Sequence, residues 1–242
     1  MIITIGYLYY DLLNLYGENG NIKALKKQLE DQGINVTIKF LTIDDDLDFN
    51  KYDFVYIGAG TENNQKIALK HLIKYKNDIK KYIEDNKFFL STGNSIELFG
   101  KHILDNNKTK IKTLGTFKYQ TIIEDFRMID EAVFKASLFD EPFIGFQNQY
   151  GVIKDIQEPF FKVIKGVGSY PNSTTEGINY KNFYGTYLIG PILIRNPHFL
   201  KHLVKEVILS KDKKFKFKKF NLNFETTAHS NFLERHYSEI SI

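Results

Sequence analysis

Residues 88–100 read FFLSTGNSIELFG. An apolar, aromatic run enters a small polar bend and leaves as a second apolar segment. The stretch therefore reads as a buried strand, a sharp turn and the first turns of a helix. In an open α/β sheet such a bend, at the carboxyl end of a strand, is where chemistry is carried.

Working outward, the same alternation recurs. IITIGYLY is rich in β-branched and aromatic residues and reads as a central strand. LYGENGNIKALKKQLEDQGI changes period, with Ile22, Leu25 and Leu29 on one helical face and Gly33 as the stop. NVTIKFLTI and YDFVYIGAG read as two further strands. NNQKIALKHLIKYKNDIKKYIEDN, between YDFVYIGAG and the bend, reads as one long amphipathic helix turning Ile67, Leu72, Ile79 and Ile83 to a sheet. Strands alternating with helices of this length pair in parallel through right-handed crossovers. After Gly115 the strands crowd together (TFKYQTII, AVFKASLF, FIGFQNQ, FFKVIKG), and they are expected to add antiparallel strands at one edge of the same sheet. IRNPHFLKHLVKEVIL closes the pattern as a helix with Asn196 as cap and Pro197 in its first turn. With no repeat or linker, the expectation is one α/β domain over 1–242, mainly parallel and flanked by helices.

Composition narrows the chemistry. The 242 residues are 43% apolar, enough for a substantial core. The net charge of +4 is carried by lysine, since arginine occurs only at Arg127, Arg195 and Arg235. A diffuse lysine excess reads as a solvated surface, and no nucleic-acid partner is expected. The absence of cysteine excludes disulfides, thiolate metal sites and thiol nucleophiles. No apolar run is long enough to span a bilayer, so a cytoplasmic protein is expected, with neither cofactor nor metal.

Three loops fall at strand ends and should converge: YGENGN, GAGTENNQ and STGNS. Gly58 and Gly60 form half of a dinucleotide fingerprint whose third glycine is replaced by Asn63, which favours a plain strand-to-helix turn. GNSIE resembles the G-x-S-x-G elbow and nominates Ser95, although Glu97 takes the final glycine position. Of six histidines (His71, His102, His198, His202, His229, His236), none lies in a strand-end loop. His198 and His202 have helical metal-ligand spacing but no H-E-x-x-H context, and read as surface residues. KDKKFKFKKF alternates Lys216 and Lys218 with Phe215, Phe217 and Phe220, and reads as an exposed edge strand.

Six blocks in order, LYYDLLNLYGENGNIKAL, GAGTENNQ, LGTFKYQTIIEDFRMID, IGFQNQYG, GVGSYPNSTTEG and GTYLIGPILIRNP, together carry a resemblance. They are similar to the class I glutamine amidotransferases of the cobyric acid synthase type, and within them to the branch serving bacterial lipid II isoglutaminyl synthase. The resemblance implies a cysteine at the bend that attacks the carboxamide of glutamine, a histidine that activates it, and ammonia passed to a Mur-ligase-like partner in peptidoglycan biosynthesis. Anchored on LFG, the family's cysteine falls on Gly93, or on Thr92 with a one-residue shift, and Glu97 stands where glutamine is usual. The histidine falls on Ile189, and Gln149 takes another position where histidine is usual. Arg127 matches the arginine thought to hold glutamine, an edge-strand surface arginine being the equal alternative. Gly58 and Gly60 match the oxyanion-side turn, with Thr61 replacing glutamine. Glycine accepts the strained angles of such a bend without a Cβ.

With both reactive groups gone, the expectation is a non-hydrolysing binding or scaffolding subunit. Two alternatives stand beside it. One is an active hydrolase using Thr92 or Ser95 with a histidine such as His102 or His229. The other is a sensor binding glutamine or a related amino acid through Arg127 and the turn at 58–60.

Overall fold

The structure, a computed structural model, describes residues 1–239. Strands β1 (Ile2–Leu8), β2 (Asn35–Leu41), β3 (Phe54–Ile57) and β4 (Phe88–Thr92) form the parallel part of a six-stranded sheet. Helices α1 (Asn19–Asp31), α2 (Glu62–Leu72) and α3 (Lys76–Glu84) are its crossovers. One face buries Ile22, Leu25 and Leu29 of α1 against Ile3, Ile5, Tyr56 and Leu90. Each such side chain contributes about 1.5–3 kcal/mol. The other face buries α2 and α3 against Val55, Ile57 and Phe89.

Helix α2 points Gln65, Ala68, Leu69 and Leu72 inward, so Ile67 falls off the apolar stripe and is 40% exposed, contrary to the sequence expectation. The long helix expected there is also two helices, broken by a 3-10 turn at Ile73–Tyr75. Leu72, Ile79 and Ile83 are buried as expected.

The helix expected after the bend is a short 3-10 segment, Gly93–Phe99. Its carbonyls are taken by the following loop: Leu114 N donates to Leu98 O, Phe117 N to Phe99 O and Gly115 N to Gly100 O. The helical ladder therefore cannot propagate. Phe99, with its ring centroid 4.8 Å from that of Phe183 and 5.2 Å from that of Phe89, pins this arm to the sheet.

The chain then runs through β5 (His102–Leu104), β6 (Lys110–Lys112), β7 (Gln120–Lys135), β8 (Phe143–Lys154), β9 (Phe161–Lys165), β10 (Thr175–Glu176), β11 (Ile178–Tyr180) and β12 (Phe183–Thr186). None of the four strands expected at the sheet's edge is there: they fall in β7, β8 and β9, and β5 to β10 build a second, mostly antiparallel sheet, while the edge itself is taken by the antiparallel β11. The reason is an occupied edge, because β12 returns to pair in parallel with β4 and β11 caps it, giving the order β11-β12-β4-β3-β1-β2.

Helices α4 (Ile192–Arg195), α5 (Pro197–Lys211) and α6 (Asn223–Tyr237) complete the described chain. Asn196 sits at the cap position of α5, but its side chain makes no cap bond. It accepts from Ile144 N and donates to Ile144 O and Ile192 O instead, clipping the second sheet to the helices. The expected edge strand at 211–220 is not a strand. Phe215, Phe217 and Phe220 pack on the core beside α5 as an extended strap, and Lys218 N donates to Gln32 Oε1 of the turn after α1.

Candidate functional site

The carboxyl ends of β1, β3, β4 and β12 point the same way, and the three strand-end loops meet there as expected. Gly58 and Gly60 are required by close approach. A Cβ at Gly58 would sit 2.5 Å from Leu13 O, and one at Gly60 would sit 2.7 Å from Leu12 O. Asn94 clamps this turn by accepting from Gly60 N at 3.1 Å and donating to Gly60 O at 2.9 Å.

Gly93 has φ +62°, the left-handed conformation that a nucleophile bend stores as strain and glycine adopts freely. A Cβ there would meet Ile189 Cγ2 at 3.0 Å and Ala59 Cβ at 2.4 Å. The two positions that the resemblance matches to cysteine and histidine are thus neighbours.

These residues close one wall of a cleft of ≈ 60 Å³. The opposite wall comes from the second sheet. Between Ile123 and Met128 the β7–β8 register shifts, and Arg127 leaves the ladder to line the cleft. Its guanidinium lies 4.4 Å from the centroid of the Tyr150 ring and its ion pair with Glu62 is 3.9 Å long, on a side chain that is exposed at the mouth of the cleft. Beside it, neither end of the Gln149 amide has a hydrogen-bond partner.

Two buried carboxyls underlie the bend. Glu18 accepts from Thr92 Oγ1 and, at 2.5 Å, from Tyr56 OH. Glu97 accepts from Gln65 Nε2 at 2.8 Å and Tyr187 OH at 3.1 Å. Burial pushes each up to about 7, against the hydrogen bonds that lower it. A third carboxyl, Glu176, is raised to about 7 by burial while holding Thr186 Oγ1 and Tyr187 N.

A CobB/CobQ-like glutamine amidotransferase domain matches residues 4–197. The chain belongs to that family. It is 31% identical over 240 residues to "Lipid II isoglutaminyl synthase (glutamine-hydrolyzing) subunit GatD" of Streptococcus pneumoniae (strain ATCC BAA-255 / R6), covering 98% of this chain and 89% of the relative. The protein of the same name from Staphylococcus aureus (strain N315) is 29% identical, covering 96% of each. Among solved structures, PurLQS from Thermotoga maritima shares the fold with a TM-score of 0.56 at 14% identity, over 87% of this chain and 99% of that one. A Thermotoga maritima glutamine amidotransferase (tm1158) does so with 0.53 at 10% identity, over 96% and 97%.

Within this amidotransferase frame the other hydroxyls are committed elsewhere. Thr92 is buried on Glu18, and Ser95 donates to Thr92 O and Ile57 O and meets Ser91 Oγ at 2.8 Å. Among the described residues no histidine lines the cleft. His102 lies on β5 and His229 Nε2 bonds Pro142 O at 2.9 Å. His198 and His202 are not the surface residues expected: His198 packs 4.5 Å from the Phe143 ring and burial holds it down at about 3. Among the described residues no group of three or more His, Cys, Asp or Glu is placed to hold a metal, and no helix is long and apolar enough to cross a membrane. Sequence reasoning passed over Glu18 and Asn94, although both lie in the loops it singled out; a buried carboxyl or an amide clamp has no one-dimensional signature.

Proposed function

We propose that this chain is a glutamine amidotransferase-like subunit that no longer hydrolyses glutamine, and that it acts as a cytoplasmic binding or scaffolding component for a Mur-ligase-like partner in peptidoglycan biosynthesis. The observation that carries this reading is the juxtaposition of Gly93 and Ile189, close enough that a Cβ at Gly93 would meet Ile189 Cγ2 at 3.0 Å. Amide hydrolysis through an acyl-enzyme needs a nucleophile and a base within hydrogen-bond reach, and here a bare backbone faces a sec-butyl side chain.

Two further features support it. The Gly60 amide, which the resemblance matches to the oxyanion-side turn, is already engaged by Asn94, and an occupied donor offers nothing to a transition state. The cleft of ≈ 60 Å³ also has room for only a few waters at roughly 10–15 Å³ each, far below the roughly 300 Å³ at which ligand cavities begin. Gly58 and Gly60 then serve the turn, and Arg127 remains as a binding group at the mouth.

An ammonia-release assay on the pure chain, alone and with the co-purified ligase, tests the proposal. No glutamine-dependent ammonia should appear in either case, while the complex should survive gel filtration. Robust hydrolysis would overturn it.

A further inference from the structure

The lysine excess is not spread evenly over the surface. The strap 211–220 holds six lysines against one aspartate, a net +5, whereas the whole chain carries +4, so everything outside the strap is slightly acidic. The strap takes its shape from its rings. Phe215, Phe217 and Phe220 are half-buried on the core and Lys218 N is tied to Gln32 Oε1, while Lys213, Lys214, Lys216, Lys218 and Lys219 are left exposed. Of the six lysines only Lys211 has an ion pair among the described residues, with Asp53. Like charges set this close repel one another, and a row of them without counter-ions, fixed in place by aromatic anchors, is complementary to an extended anionic surface.

The positive face continues beyond the strap. On α5, Lys201 Nζ lies 5.7 Å from the centroid of the Phe220 ring and Lys205 Nζ 5.9 Å from that of Phe217. Both lysines line a groove between α5 and the start of α6, to which Phe220, Leu138 and Asn223 also contribute. Glu141 and Asp212 border the same face, too few to neutralise the strap. Leu138 is 57% exposed, and Phe224, next to Asn223, is 88% exposed. No other large apolar side chain among the described residues is as exposed as Phe224.

A nucleic acid fits this face poorly. Guanidinium forks serve phosphates and base edges best, and the strap contains no arginine; the rings that could stack on bases are spent on the core. A bilayer asks for neither. Its diffuse negative charge suits lysine, the apolar layer beneath suits a lone protruding ring, and stable surface attachment takes two such signals together.

We propose that the strap, the Lys201 and Lys205 side of α5, and Phe224 form a docking face for an anionic lipid bilayer, with the lysines at the head groups and the Phe224 ring inserted among the upper acyl carbons. This goes beyond the non-hydrolytic reading and does not depend on it.

Co-sedimentation of the full chain with vesicles tests it. With about one-third phosphatidylglycerol in phosphatidylcholine the chain should partition at least about a hundredfold more strongly than with phosphatidylcholine alone, and the difference should collapse as salt rises from about 0.1 to 1 M. Each lysine near such a surface is worth roughly fivefold, so K213Q/K214Q/K216Q/K219Q should lose at least about a hundredfold. K66Q/K70Q/K74Q/K80Q makes the same change in net charge on the opposite side of the sheet and should lose less than about tenfold. F224S should weaken partitioning by about tenfold with an unchanged salt slope. All of these side chains are exposed, so the variants should keep the fold, which circular dichroism checks. Failure to sediment with the phosphatidylglycerol vesicles, equal losses from the two lysine sets, or undiminished partitioning by F224S would overturn the proposal. So would saturable displacement by about 10 mM inorganic phosphate at constant ionic strength, which would mark a free-anion site. Tighter binding to a single-stranded RNA than to the vesicles at about 0.15 M salt would assign the face to nucleic acid and overturn it too.

Discussion

The two walls of the cleft have had different fates. On the parallel-sheet side, a Cβ at Gly93 would collide with Ala59 and crowd Ile189, and Asn94 satisfies the Gly60 peptide, so little is left over. On the second-sheet side, Gln149 and the oxygen of Asn148 lack partners and Arg127 stands at the mouth with a loose counter-ion. One wall is packed like a core and the other is poised like a receptor. The difference teaches that one wall of a cleft can be packed shut while polar groups on the facing wall are left without partners.

The strongest way to break this contrast is kinetic. Assayed beside the S. pneumoniae relative, the chain's glutamine kcat/KM should be lower by at least about 10⁴-fold, since loss of one member of a nucleophile–base pair alone removes that much or more. A difference under about a hundredfold would mean the sealed wall still reacts.

The next effect is on stability against pH. Glu97 is harder to ionise in the fold than in the open chain, where its value is 4.5 against about 7 when buried. Its stabilising share is therefore fully present below about pH 4.5 and lost as the pH rises through about 7. That difference amounts to about 3 kcal/mol at most above pH 8. E97Q, which removes the ionisable group and keeps the shape, should raise Tm by several degrees at pH 8 and change it little at pH 5. An equal shift at both would show that ionisation of Glu97 is not the cause.

G93A comes third. Positive φ and the Ala59 methyl together should cost about 1–3 kcal/mol in denaturant unfolding, and A59G should return part of it. The smallest effect belongs to the open wall: R127Q should change stability by less than about 1 kcal/mol, because its contacts are a ring stack and a long ion pair. A larger loss would show Arg127 to be structural.

Much of this was legible beforehand where local and global demands agree. The α1 stripe, the strand endings at Thr92 and Ile57, and the family blocks all declare themselves in one dimension. The second sheet did not, because edge occupancy by β12 is settled some ninety residues after β4 ends. Nor did the strap of Phe215, Phe217 and Phe220, whose alternation is satisfied by side-chain anchoring with no strand ladder. The site was half legible. The resemblance named Gly93, Ile189 and Arg127, and Glu97 and Gln149 as substituted positions, whereas the Asn94 clamp, the burial of the carboxyls and the missing partners of Gln149 depend on distances that no pattern encodes.

The paired hydrogen bonds of Asn94 to Gly60 carry one more consequence. On the non-hydrolytic reading, a thiol and an imidazole placed at 93 and 189 would still find that peptide tied down and the Ala59 methyl in the way. Asn94 would then act as a ratchet, because a change at either reactive position gains nothing until the clamp is also released.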